Sequence, residues 1–145
     1  MHHGPGVSCI AGCHGRAVEC RGLNAQGLEK VTSRPASEPI RVYAGLESAG
    51  SDQARAALVV EELKRTGAAS RSAVMIAPTT GTGWVDPIAA LSLEVLYDGD
   101  TAIAAAQYSY LPSAYSYLAD HKNPVNSSRV LIEAIRRELE QLDPE

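Results

Sequence analysis

A chain of 145 residues with 45% hydrophobic content has the length of one ordinary domain and enough apolar material for a real core. Its net charge of -4, with basic residues mostly interleaved with acids, offers no stripe for a phosphate backbone and argues against a nucleic-acid partner. No apolar run approaches the roughly 20 residues needed to cross a bilayer, and the N-terminus lacks the basic start and long apolar stretch of a secretory signal, so the chain as written reads as soluble and unexported.

Residues 1–37 are rich in Gly, with scattered Ser, Asn and Pro and no sustained apolar period, and read as an irregular or disordered lead with at most a helical turn over Ala25 to Val31. All three cysteines fall in it, as Cys9-x3-Cys13-His14 followed by Cys20. Three thiolates and an imidazole can hold zinc, but the spacing lacks the two paired C-x2-4-C half-sites of a structural module. Free thiols in a tail are the simpler reading, and no metal or cofactor is assigned. His2 and His3 belong to the same lead.

From residue 38 to 145 the pattern is that of a folded domain. Ile40-Arg41-Val42-Tyr43-Ala44 is a strand stopped by Gly45. Ser51 or Asp52 caps a helix in which Ala56, Val59, Val60 and Leu63 recur on one face, and Gly67 ends it. Ala73-Val74-Met75-Ile76-Ala77 is too short for an amphipathic helix and lacks period-two alternation, which predicts a strand buried on both faces. A second helix runs from Pro87 to about Tyr97; Ile88, Leu91, Val95 and Ala89, Leu93, Leu96 cover two of its faces, which predicts that it is more buried than the first.

Thr101 to Tyr108 is a third strand, followed by a turn-bearing Ser109-Tyr110-Leu111-Pro112-Ser113 and a candidate short helix through Leu118. Asn123-Pro124 opens the last helix, with Val125, Leu131, Ile132, Ile135, Leu139 and Leu142 as its inward stripe and Arg129, Glu133, Arg136, Arg137 and Glu140 as a solvated face. With no phenylalanine and one tryptophan, the core rests on Ala, Val, Leu and Ile. The order strand, helix, strand, helix, strand, helix predicts an α/β fold, three layers (α/β/α) around a partial parallel sheet of about three strands. Such a sheet ordinarily has more strands, so the domain reads as incomplete.

The most informative stretch is Pro78-Thr79-Thr80-Gly81-Thr82-Gly83-Trp84-Val85-Asp86-Pro87, between the second strand and the second helix. Open α/β sheets place their chemistry at such junctions. Asp86 is a helix N-cap and Pro87 a first helical residue, where a missing N–H costs nothing. Gly81 and Gly83 let loop amides approach a ligand closely. A phosphate reading meets two obstacles: Asp86 stands where the dinucleotide fingerprint has its third glycine, with no Lys-Ser/Thr pair following, and a carboxylate cap occupies the donors a phosphate would use. For serine chemistry, G-x-S-x-G is absent. Ser109 and Ser113 read as loop-capping residues, His121 as a surface residue, and Glu61 and Glu62 as exposed. On these residues alone there is no complete active site.

The segment Arg34 to Ala49 (RPASEPIRVYAGLESA), the loop Pro78 to Pro87 (PTTGTGWVDP), Gly99-Asp100-Thr101-Ala102-Ile103 and Gln107 to Ser113 (QYSYLPS) resemble, in this order, a family of bacterial membrane-associated α/β-hydrolases that carry an N-terminal multi-helix membrane region. The resemblance implies the first part of the family's catalytic domain, a truncated α/β-hydrolase fold. Ala73 to Ala77 would be the family's third strand and Thr79 to Trp84 its oxyanion loop, with Thr80, Gly81, Thr82, Gly83 and Trp84 as oxyanion or pocket residues. Thr82 and Gly83 are the implied donors, Trp84 a pocket wall and Asp86 the helix cap. The family's substrates would be small ester-like molecules.

The nucleophilic serine, the acid and the histidine would lie beyond Glu145, so the chain is expected to be inactive alone. The first fourteen or so residues depart from the family pattern. In the family's strand order the nucleophile strand pairs beside the third strand, which leaves Ala73 to Ala77 as an exposed edge available for self-association. The competing reading is a self-contained flavodoxin-like binding module that uses the Thr/Gly loop for an anion or a protein partner.

Overall fold

The computed structural model describes residues 7–10, 22–77, 79–80, 82–110 and 122–142. Four parallel strands, β1 (Val7–Ile10), β2 (Ile40–Ala44), β3 (Ala73–Ile76) and β4 (Thr101–Ala106), form one sheet in the order β1-β2-β4-β3. Among the described residues four helices accompany them: α1 (Ala25–Thr32), α2 (Asp52–Thr66), α3 (Pro87–Leu96) and α4 (Lys122–Leu142). Short 3-10 turns follow β2 and α2.

The helix ends have local causes. The Ser51 side chain accepts the Ala54 N–H at 3.1 Å to start α2, and Gly67, at φ 73°, closes it in the left-handed conformation that a residue without Cβ adopts at no steric cost. Asn24 caps α1 in the same way through the Gly27 N–H at 2.8 Å. Helix α4 begins at Lys122, just ahead of the expected Asn123-Pro124 start. Pro124 is tolerated there because first-turn amides have no intrahelical acceptor.

Alternation along the strands divides the core in two. Ile40, Val42 and Ala44 of β2 join Ala102 and Ala104 of β4 against Ala56, Val59 and Leu63 of α2 and Leu131 and Ile135 of α4. Tyr43, Ile103 and Ala105 point the opposite way and pack with Ala77, Val85 and Ala90. Helix α1 lies beside α3 on that second side. The result is the expected three-layer α/β/α arrangement, with small residues in the central strand β4 that let helices approach the sheet closely.

Several expectations require correction. The sheet has a fourth strand, β1, within residues 1–37, which read as irregular in the sequence; four residues with no clear alternation carry too little pattern to announce a strand. The helical turn expected over Ala25 to Val31 is there as the helix α1. Strand β4 ends at Ala106 and not at Tyr108. Strand β3 is half-buried, not buried on both faces, because among the described residues it lies at the sheet edge with a strand on one side, β4.

Helix α3 is not the better-buried helix. Only Ala90 and Glu94 are buried in it, while Ile88 is 74% and Leu96 70% exposed. Helix α2 packs against both the sheet and its neighbour α4, whereas among the described residues α3 packs against the sheet and the short α1. Among the described residues no helix is long and apolar enough to cross a membrane. The expected short helix before Leu118 lies outside the described residues.

Candidate functional site

Helices α2 and α4 cover one face of the sheet and α3 the other. The chain therefore leaves the carboxyl ends of the neighbouring strands β4 and β3 toward opposite faces, which is the condition for a crevice in an open parallel sheet. Three segments meet at that edge: Gly45 to Ser51 after β2, the Thr/Gly loop after β3, and Gln107 to Tyr110 after β4.

The loop is closed on itself through Thr80. Its N–H donates to the Trp84 carbonyl at 2.9 Å, its carbonyl accepts the Gly83 N–H at 2.9 Å, and its Oγ1 accepts the Trp84 N–H at 3.1 Å. Thr79 Oγ1 donates to the Ala106 carbonyl at 2.9 Å and ties the start of the loop to the end of β4. Val85 is buried at the far end. Asp86 caps α3 by accepting the Ile88 N–H at 2.8 Å, and Pro87 follows it as the first helical residue. Of the loop amides, those of Thr80, Gly83 and Trp84 have internal acceptors. For the exposed Thr82 N–H there is no acceptor among the described residues.

Gly83 is the residue on which the loop seats. Its φ is 86°, and a Cβ built on it would lie 1.9 Å from Tyr43 Oη and 3.2 Å from Gln107 Cγ. A side chain there would meet both backbone strain and a buried tyrosine. Trp84 is 48% exposed beside it. Pro78 and Gly81 lie outside the described residues, as do Cys13, His14, Cys20, Ser113 and His121; of Cys9 only the backbone, in β1, is described.

Two groups that sequence reasoning passed over position the elements around the loop: Gln107 at the carboxyl edge and Arg41 near the amino end of β2. Gln107 extends the ladder by donating its N–H to the Ala44 carbonyl at 2.9 Å, and its carboxamide accepts the Leu46 N–H at 3.2 Å and donates to the Ser109 carbonyl at 2.8 Å. It thus links the segments after β2 and β4 and touches the seat of Gly83. Arg41 makes a two-pronged ion pair with Glu94 of α3, at 2.7 and 2.8 Å, and donates to the Leu23 carbonyl at 2.8 Å. Both side chains are almost fully buried, at 4% and 1% exposure. This clamp fixes α3, and with it the far end of the loop, to the sheet. Nearby, the Tyr110 hydroxyl donates to Glu47 at 3.0 Å, and that hydrogen bond holds the phenol above its ordinary pKa.

A cleft with room for about 170 Å³ opens beside the loop, between the ends of β3 and β4 and the first turns of α4. Its walls include Ile76, Thr79, Ala106, Tyr108, Ser128, Leu131 and Ile132. The Thr/Gly loop lines this largely apolar cleft through Thr79, whereas Thr80, Thr82, Gly83 and Trp84 are not in its wall. Such a lining suits a neutral molecule with an apolar portion.

A model of the alpha/beta-hydrolase family matches residues 40–145. No curated protein and no solved structure matches the chain. The matched stretch takes in β2 to α4, the three strands with the shared carboxyl edge, and the Thr/Gly loop. With most of its length so matched, and with the parallel α/β/α architecture of its strands and helices, the chain belongs to the alpha/beta-hydrolase family.

Proposed function

We propose that this chain supplies the oxyanion side of a serine hydrolase that cleaves esters or similar acyl bonds. The observation that carries the reading is the amide of the exposed Thr82, which has no acceptor among the described residues while the Gly83 and Trp84 amides beside it are tied to Thr80. An oxyanion hole needs donors fixed before charge develops, and loss of one donor costs about 2.7–4 kcal/mol of transition-state stabilisation. Thr82 is the donor in this reading. Gly83, whose own N–H is held by Thr80, sets the loop on Tyr43, and Trp84 forms a wall of the pocket. The role of Gly81 in this cradle rests on the family resemblance alone.

The same reading assigns no nucleophile, acid or histidine to these residues, since no G-x-S-x-G occurs in the 145-residue sequence. In this proposal the chain is the N-terminal part of a catalytic domain from a membrane-associated family. A fluorophosphonate that modifies activated serines should leave it unlabelled; stoichiometric labelling contradicts the assignment. The outer edge of β3, unpaired among the described residues, supports self-association. Sedimentation should then reveal concentration-dependent oligomers, and a monomer at all concentrations removes that part of the proposal.

The flavodoxin-like alternative has less support. In that fold β1 lies between β2 and β3, whereas here β1 is at the edge and β4 separates β2 from β3. Asp86, bonded to the Ile88 N–H, also occupies the helix end that an anion would use.

A further inference from the structure

We propose that the cleft between β3, β4 and α4 receives the acyl chain of the substrate and limits it to about six carbons. The inference rests on the ester-hydrolase reading and adds the substrate class. None of the residues lining the cleft carries a charge, and Ile76, Ala106, Leu131 and Ile132 form an apolar floor. An amino-acid, phosphate or other ionic group would find no counter-charge there, whereas a hydrocarbon chain would gain by leaving water.

Size sets the limit. The cleft has room for about 170 Å³, and an apolar cavity of about 150 Å³ accepts a benzene molecule. A butyryl to hexanoyl chain therefore fits, and a longer one must leave its end in solvent. The position is also suitable. Thr79 lines the cleft and begins the Thr/Gly loop, and its hydroxyl is anchored to the Ala106 carbonyl at 2.9 Å. A chain in the cleft thus approaches the loop from its fixed end. A second cavity, between α2, α4 and β3, has room for about 20 Å³, which is one water molecule and no chain.

The test uses neutral alcohols, which fill the cleft but carry no oxyanion. In methyl-detected NMR of the whole chain, hexanol should produce saturable shifts at Ile76, Leu131 and Ile132. Its affinity should exceed that of butanol by about fifteenfold, the value for burying two more methylenes, and decanol should add little. Ile132→Trp, at a half-exposed position, should abolish the hexanol shifts, with Ser128→Trp at the cleft mouth as a second variant. Unaltered shifts in both variants, an affinity that keeps rising through decanol, or no saturable response at Ile76 and Leu131 would overturn the inference. The oxyanion reading is tested apart from it, because the response of the Thr82 amide to acetate requires no occupant in the cleft.

Discussion

The two faces of the sheet are built on different physical terms. Beneath α2 and α4 the contacts with the sheet are mainly apolar, with Ile40, Val42 and Ala44 meeting Val59, Leu63, Leu131 and Ile135, and the polar pairs Lys64–Glu138 and Ser127–Asp52 join the two helices to each other. Beneath α3 the same strand β2 presents Arg41 to Glu94 and Tyr43 to Gly83. The first face is stabilised by area removed from water, which is insensitive to direction. The second trades part of that area for contacts that fix distance and angle, one seating the Thr/Gly loop at Gly83 and the other fixing the helix that follows it. The loop's order therefore depends on the face with the poorer packing and the more specific polar geometry.

The face beneath α3 is most vulnerable at the ion pair. Glu94→Ala leaves the Arg41 guanidinium buried without its partner and should cost about 3–5 kcal/mol in chemical denaturation. Replacing both residues together, as Arg41→Met with Glu94→Leu, should recover most of that stability while loosening the loop. A double variant as unstable as Glu94→Ala would mean that the pair adds net stability and does not chiefly position α3. On the apolar face, Ile135→Ala should cost about 2–5 kcal/mol through lost burial and the cavity left behind. It should leave the loop amides undisturbed in an NMR spectrum, and large shifts there would show that the faces are coupled.

A smaller effect sharpens the contrast. Gly83→Ala places a Cβ against the Tyr43 hydroxyl in a left-handed backbone conformation, and the conformational part alone costs about 1–2 kcal/mol. In a Tyr43→Phe background the hydroxyl is gone, so the same substitution should cost less, with a coupling on the order of 1 kcal/mol. Strict additivity would remove Tyr43 as the seat of the loop.

What could be read in the sequence was what is encoded locally. Ser51 and Gly67 delimit α2, and Asp86-Pro87 opens α3, because caps act over three or four residues. Three of the strands were legible from short apolar runs between glycines. The apolar faces of α3 were legible too, but not their exposure, since a periodic pattern does not say which neighbour covers it. The Arg41 to Glu94 pair joins positions 53 residues apart and has no local signature. Gly83 was visible as a loop glycine, yet the reason for it, the hydroxyl of Tyr43, is supplied by a different strand. Gln107 was hidden because the third strand was extended over it.

The most direct test of the account is an amide NMR titration of the whole chain with acetate, the smallest product-like carboxylate. The Thr82 N–H should move downfield and saturate, while the Gly83 and Trp84 amides, held by Thr80, should stay in place. A response at Gly83 or Trp84 with Thr82 unmoved, or no saturable response at any loop amide, would contradict the claim that this loop is an oxyanion cradle.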